Sequence, residues 1–145
     1  MAFPAPIAGL VVRYSYLWRS EFLRGREEGI KDRPCAVLLA TTDADGDTTV
    51  IALPVTHAPP RDPSHAVEIP AATKRRLGLD GARSWIVVAE SNRFAWPGPD
   101  LRPARPGDPA SIVYGELPGN LYEKVRAQWL ALYALRRTHS VGRTA

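Results

Sequence analysis

An arginine directly before a proline, Arg33 and Pro34, and an adjacent Thr56 and His57 are the residues of this chain whose types and placement can do chemistry. Proline disfavours helical backbone at the residue before it, so Arg33 is held extended at the head of an apolar run instead of floating in a loop. Its guanidinium stays protonated at any working pH and offers a planar fork suited to phosphate oxygens. Thr56 and His57 follow Pro54 and Val55, where a second apolar run passes into a loop. A hydroxyl, an imidazole and backbone donors at a strand end can hold a phosphate and move a proton. A charged stretch before Arg33 adds Glu27 and Glu28 beside Arg24, Arg26 and Lys31, and Arg93 with Phe94 and Trp96 can pin and stack a base. Each has a plainer reading: a surface salt bridge from Arg33 to Asp32 or Glu28, structural histidines, a solvated charged loop, and a tryptophan belonging to the core.

Other chemistries lack their motifs. The sequence has no glycine-rich phosphate loop, no serine in a nucleophile elbow, and no set of His and Cys at metal-ligand spacing. With three histidines and one cysteine, neither a metal nor another cofactor is expected. Cys35 has no partner in the chain and lies in an apolar run, which predicts a buried, inert thiol in a reducing compartment.

The elements that must position these residues follow from hydropathy patterning. Leu10, Val12, Tyr14 and Tyr16 alternate with Val11, Arg13 and Ser15, the period of a half-buried strand within 9–17. Residues 18–32 carry charge and two glycines and read as an exposed loop, with room for a short helical turn. Pro34 opens the run CAVLLAT, and Asp43 to Asp47 is a turn into TTVIALPV; the two runs form a hairpin that Pro54 ends or marks as an edge. Short strands are expected at Ala66 to Ile69 and Ser84 to Ala89, with a helix between them that starts at Pro70 and stops at Gly78. Five prolines and two glycines between Pro97 and Pro109 imply a pinned loop. The C-terminal helix is expected over Asn120 to Arg137, with Asn120 and Glu123 as a capping box and Leu121, Val125, Trp129, Leu132 and Tyr133 on one buried face.

Short strands with few helices argue for one strongly bent sheet or small barrel, mainly β with helices, in a single domain over residues 1–145. No run nears the roughly 18 apolar residues of a membrane span, and the N-terminus lacks a signal-peptide pattern, so no membrane association and a cytoplasmic location are expected. The net charge of +4 rests on 16 Arg against 3 Lys. That balance is compatible with a nucleic-acid partner, since arginine pairs with phosphates in bidentate fashion and stacks on bases.

In order and spacing, the chain resembles the MazF/PemK toxins. The strand beginning GLVV, the loop and strand REEGIKDRPCAVLL, and VIALPVTH match that family's glycine-initiated strand, Glu-containing loop, Arg-Pro opening an apolar strand, and strand ending in Pro-x-Thr. The likeness is close over roughly the first 57 residues and looser through SWIVVAES and GELPGNLYEKVRAQWLAL. It implies a small SH3-like barrel of five to seven strands with a C-terminal helix, and a homodimer that cuts single-stranded RNA without metal. A cognate antitoxin protein covering the RNA groove is implied as well. Carried over, the family's arginine falls on Arg33, its threonine on Thr56, and its acidic residue on Glu28 or, with a one-residue gap, Glu27. RNA carries its own nucleophile in the 2′-hydroxyl, so such an enzyme needs a base, an acid for the leaving oxygen and cations for the developing charge. Arg33 suits the charge, Glu28 the base, and Thr56 a phosphate oxygen. His57, which the family pattern does not supply, can share the acid or base work. Arg26, Glu27, Lys31 and Arg93 would contact RNA. The long first loop, the Pro97 to Pro109 stretch and the Glu90 to Arg93 ending depart from the family pattern. The alternatives are a non-catalytic RNA- or protein-binding module on the same barrel, and a toxin that poisons a different target.

Overall fold

A computed structural model describes residues 3–29 and 31–143. Its centre is a three-stranded antiparallel unit, β1 (Leu10–Tyr14), β2 (Arg33–Thr42) and β3 (Thr48–Thr56). The turn between β2 and β3 forms where expected: the Asp43 carboxylate accepts from the N–H groups of Asp45 (2.9 Å) and Asp47 (3.0 Å), and Gly46 takes the left-handed conformation. The run Cys35 to Leu38 is continuously apolar because both faces of the sheet are covered. Ala36 and Leu38 join one core with Val11, Leu53 and Val55, while Cys35 and Val37 join the other with Val12, Tyr14 and Val50.

The chain continues through β4 (Ala66–Glu68), β5 (Trp85–Val87), β6 (Glu90–Ala95), β7 (Val113–Glu116) and β8 (His139–Gly142), with helices α1 (Arg19–Leu23), α2 (Ala71–Arg76) and α3 (Gly119–Ala134). The fold is therefore mainly β with helices, as expected, but the described residues form eight strands, not five to seven. The hydrogen-bonded path runs β4-β5-β3-β2-β1-β7, and β6 joins at β3 and carries β8 in parallel. The ladder does not close into a barrel; β4 and β7 stand at opposite ends of the path. A helix seals that seam instead. Arg76 of α2 donates to the Glu116 carbonyl of β7 at 2.6 Å, and Leu77 packs on Gly115. At Gly115 the backbone has φ +145°, a conformation that other residues rarely adopt, and a Cβ there would also push the end of the Leu77 side chain aside from 2.8 Å.

Pro54 neither ends β3 nor marks an edge. It pairs with Cys35 inside the strand, between the stretch that pairs with β6 (Thr49 to Ala52) and the residues that pair with β5 (Val55 and Thr56). Proline has no N–H to donate, so it occupies the gap where β3 changes partner. Across β2 and β3 the register slips at Leu38, which bulges out of the ladder, and the Tyr122 hydroxyl of α3 donates to its carbonyl at 2.7 Å.

Several expected boundaries shift. The strand expected over Ser84 to Ala89 covers only Trp85–Val87, and the polar run Glu90 to Asn92 is itself strand. Asn92, fully buried, accepts from the Leu17 N–H (2.9 Å) and donates to the Leu17 carbonyl (2.8 Å), standing in for a backbone partner. The capping box at Asn120 and Glu123 does not form, because α3 begins a residue earlier after Pro118; Asn120 takes only the next N–H, of Leu121. The helix stops at Ala134, not Arg137: Arg136 turns left-handed with φ 57°, and Arg136 and Arg137 donate back to Tyr133 and Leu132. Leu121, Val125 and Leu132 are buried and Trp129 is half-buried, but Tyr133 is exposed and stacks on Trp129 at 4.8 Å. The Pro97 to Pro109 loop is pinned to β1 through a Tyr14–Leu101 bridge and an Arg102 N–H to Arg13 carbonyl bond of 3.0 Å. No described helix is long and apolar enough to cross a membrane.

Candidate functional site

Antiparallel pairing brings the head of β2 to the tail of β3. With Cys35 opposite Pro54, Arg33 stands beside the last residues of β3, and its Nη1 donates to the Val55 carbonyl at 3.2 Å. A cleft of about 600 Å³ opens there, with Arg33, Thr56, His57 and Lys31 in its lining. Four residues named from sequence thus share one cavity.

Arg33 is not spent on a surface ion pair. Asp32 faces Arg13 (3.5 Å) and Arg102 (3.6 Å), and among the described residues Arg33 has no salt bridge. Its guanidinium lies over the Trp18 ring, 4.9 Å from the centroid. Trp18 is fixed in turn by the buried Glu21 of α1, whose carboxylate accepts the Trp18 N–H at 3.0 Å. Nε of Arg33 is buried without a hydrogen-bond partner among the described residues, an uncommon state for a charged donor. The arginine is held, yet part of its bonding capacity is unused.

Thr56 accepts the Ala58 N–H at 3.2 Å, which fixes the turn after β3 and leaves its hydroxyl proton to donate. His57, on that turn, has its Nε2 2.8 Å from Oδ2 of Asp80. Asp80 comes from the loop between α2 and β5, and its other oxygen receives Lys74 Nζ of α2 at 2.7 Å and the Ala82 N–H at 3.1 Å. Lys74 is buried and also donates to the Ser84 hydroxyl (2.7 Å) and the Ala82 carbonyl. The lysine bond, then the histidine, hold the Asp80 carboxyl below its ordinary range. Tyr114, the extra residue where β7 slips against β1, lines another wall, and burial raises its hydroxyl pKa.

Sequence reasoning missed Lys74, Asp80, Ser84 and Tyr114. Asp80 and Gly81 signal only a turn before a strand, and no local pattern says that Lys74 is buried.

The remaining sequence candidates lie elsewhere. Glu27 and Glu28 are exposed on the loop between α1 and β2 and are not among the residues lining the cleft. Arg26 and Glu27 border a separate cavity of about 170 Å³ with Phe22 and Arg143, and Arg26 Nε reaches the Glu28 carbonyl at 3.3 Å. Arg93 is exposed on β6, against Gly142 of β8. Its expected stacking companions belong to the interior: Phe94 stacks on Tyr14 at 4.5 Å, and the half-buried Trp96 donates to the Pro4 carbonyl at 3.1 Å. Cys35 is fully buried, and desolvation pushes its thiol well above the usual range, as expected for a packing residue. Among the described residues, no group of three or more His, Cys, Asp and Glu could hold a metal ion.

Chemically, the cleft offers a fixed guanidinium, a hydroxyl donor and an imidazole backed by a carboxylate. Such a set suits an anionic group next to a transferable proton. No protein-family model, curated protein or solved structure matches the chain.

Proposed function

We propose that this chain is a metal-independent endoribonuclease of the MazF/PemK kind, the toxin of a type II toxin-antitoxin pair, which cuts single-stranded RNA in the Arg33 cleft. One observation carries the reading: Arg33, Thr56 and His57, singled out from order and spacing along the chain, line the same cavity. The first two are positions that the family resemblance supplies.

In this reading the 2′-hydroxyl next to the scissile phosphate attacks phosphorus and the 5′-oxygen leaves, giving a 2′,3′-cyclic phosphate. Arg33 faces the charge that builds on the non-bridging oxygens, and preorganised donors are most effective against charge that develops only in the transition state. Thr56 donates to a phosphate oxygen. His57 takes the 2′-hydroxyl proton or returns one to the leaving oxygen, and Glu28, outside the lining, has no part in this version of the mechanism. The protein acts in the cytoplasm as a homodimer, and a cognate antitoxin occupies the RNA groove to silence it.

Cleavage of a mixed RNA pool in EDTA is the test. Fragments ending in 2′,3′-cyclic phosphate from the wild type, lost in Arg33→Gln, are the expected result. RNA that binds but stays intact would favour the non-catalytic module, and growth arrest with unaltered RNA would point to another target. Rescue of growth by a small open reading frame immediately upstream would identify the antitoxin.

A further inference from the structure

We infer that Asp80 is a positioning residue for His57, locked in place by Lys74, and that it holds the imidazole as the Nε2–H tautomer so that Nδ1 is the basic atom in the cleft. The inference rests on the ribonuclease reading for what the base acts on, but its geometry is independent of it.

Asp80 carries a carboxylate that is ionised at neutral pH, since Lys74 holds its pKa down. An ionised carboxylate only accepts hydrogen bonds, so a ring nitrogen 2.8 Å from Oδ2 must bear the hydrogen. A neutral imidazole with hydrogen on Nε2 has its lone pair on Nδ1. Lys74 makes this arrangement rigid. Its ammonium has three donors and three acceptors around it, Asp80, Ala82 and Ser84, which ties the loop after α2 to the start of β5. Saturated in this way, Lys74 is a support and not a ligand for substrate. When Nδ1 takes the 2′-hydroxyl proton, the imidazolium forms against the Asp80 carboxylate, and the proton stays on the ring until the leaving 5′-oxygen accepts it. Lys31, Asp32 and Arg33 are the other charged side chains lining the cleft beside His57, Lys74 and Asp80.

Asp80→Asn separates positioning from mere loop support. Lys74 still requires an acceptor, so the amide oxygen turns to it and the amide NH2 turns to His57. Nε2 must then accept, and the ring converts to Nδ1–H. Long-range 1H–15N spectra of the full chain, assigned with His57→Gln, are expected to show protonated Nε2 in the wild type above the titration of the ring, and Nδ1–H in Asp80→Asn. Single-turnover RNA cleavage should fall on the order of 100-fold in that variant with KM unchanged, and Asp80→Glu should restore part of it. A wild-type ring protonated on Nδ1, or a tautomer that Asp80→Asn leaves unaltered, would overturn the inference. Should the wild type fail to cut RNA, the ribonuclease reading falls, and the wild-type spectrum still decides the role of Asp80.

Discussion

Two polar networks flank the central sheet, and they differ in how completely they are satisfied. At one end, Arg143 of the C-terminal segment, its side chain only 3% exposed, donates to Asp100 (3.0 Å), the Ser15 carbonyl (2.7 Å) and the Asn92 amide oxygen (3.1 Å). Its guanidinium lies 5.5 Å from the Tyr14 ring centroid, and Asn92 spends its remaining capacity on Leu17. At the other end, Arg33 has a buried Nε with no partner among the described residues, and His57 and Asp80 are more than half exposed. A closed network ties β1, β6, β8 and the proline-rich loop into one body, because each buried charge or dipole has its complement. An open one keeps charge and proton-transfer capacity facing a cavity. Arginine occurs in both, so residue type alone does not separate scaffold from site; saturation does.

The strongest way to break this comparison is Arg143→Met. It removes the close cation from the buried Asp100 carboxylate, which keeps only Arg102 at 3.9 Å, and one of the two donors to the Asn92 oxygen, and should cost about 3 kcal/mol. The measurement is the urea midpoint at constant m-value; a loss under about 1 kcal/mol would mean that the network is not structural. Arg33→Gln is the mirror case. RNA cleavage should fall about 10²- to 10³-fold, while unfolding stability changes by no more than about 1 kcal/mol for the lost bond to Val55.

Smaller effects sharpen the division. Tyr122→Phe removes the hydroxyl that serves the bulged Leu38 carbonyl and should cost about 1 kcal/mol in the same unfolding assay, with cleavage unaltered. Glu90→Gln tests the closed side through pH. Burial raises the Glu90 carboxyl above its ordinary pKa, although it accepts from the Arg19 N–H and the Tyr16 hydroxyl, each at 3.0 Å. The native state therefore holds that proton more tightly than the unfolded chain does. This contribution is complete below the ordinary carboxyl range and is lost as pH rises through the native value. Glutamine keeps the acceptor without the charge. Melting curves of the variant should lie closer to the wild type at pH 4 than at pH 7.5, where they run slightly above it; an equal offset at both would show that Glu90 titrates as an exposed acid.

The meeting of Arg33 with Thr56 and His57 was legible before any coordinates, because all three flank one hairpin whose turn, Asp43 to Asp47, is written in local chemistry. Once a tight antiparallel turn is placed, pairing carries the head of one strand to the tail of the next. By contrast, β7 and β8 pair with strands remote in sequence and have no strong alternation, and Glu90 to Asn92 looked like a strand boundary because its residues are polar. They form strand because β8 pairs alongside them, and the buried Asn92 side chain is satisfied there by the Leu17 backbone, 75 positions away. Tyr133 sat at helical spacing from Trp129 yet faces solvent, since periodicity gives a face but not how wide a neighbour covers it.

By itself, then, the sequence determined the β-rich class, the central hairpin and the approach of Arg33 to Thr56 and His57, all consequences of short-range sterics, turn chemistry and alternation. The tertiary structure alone decided that the sheet stays open with α2 sealing its seam, that Glu28 stands off the cleft, and that Asp80 and Lys74 stand behind His57. Those outcomes depend on which surfaces meet across long stretches of chain, and no local preference of the backbone encodes that.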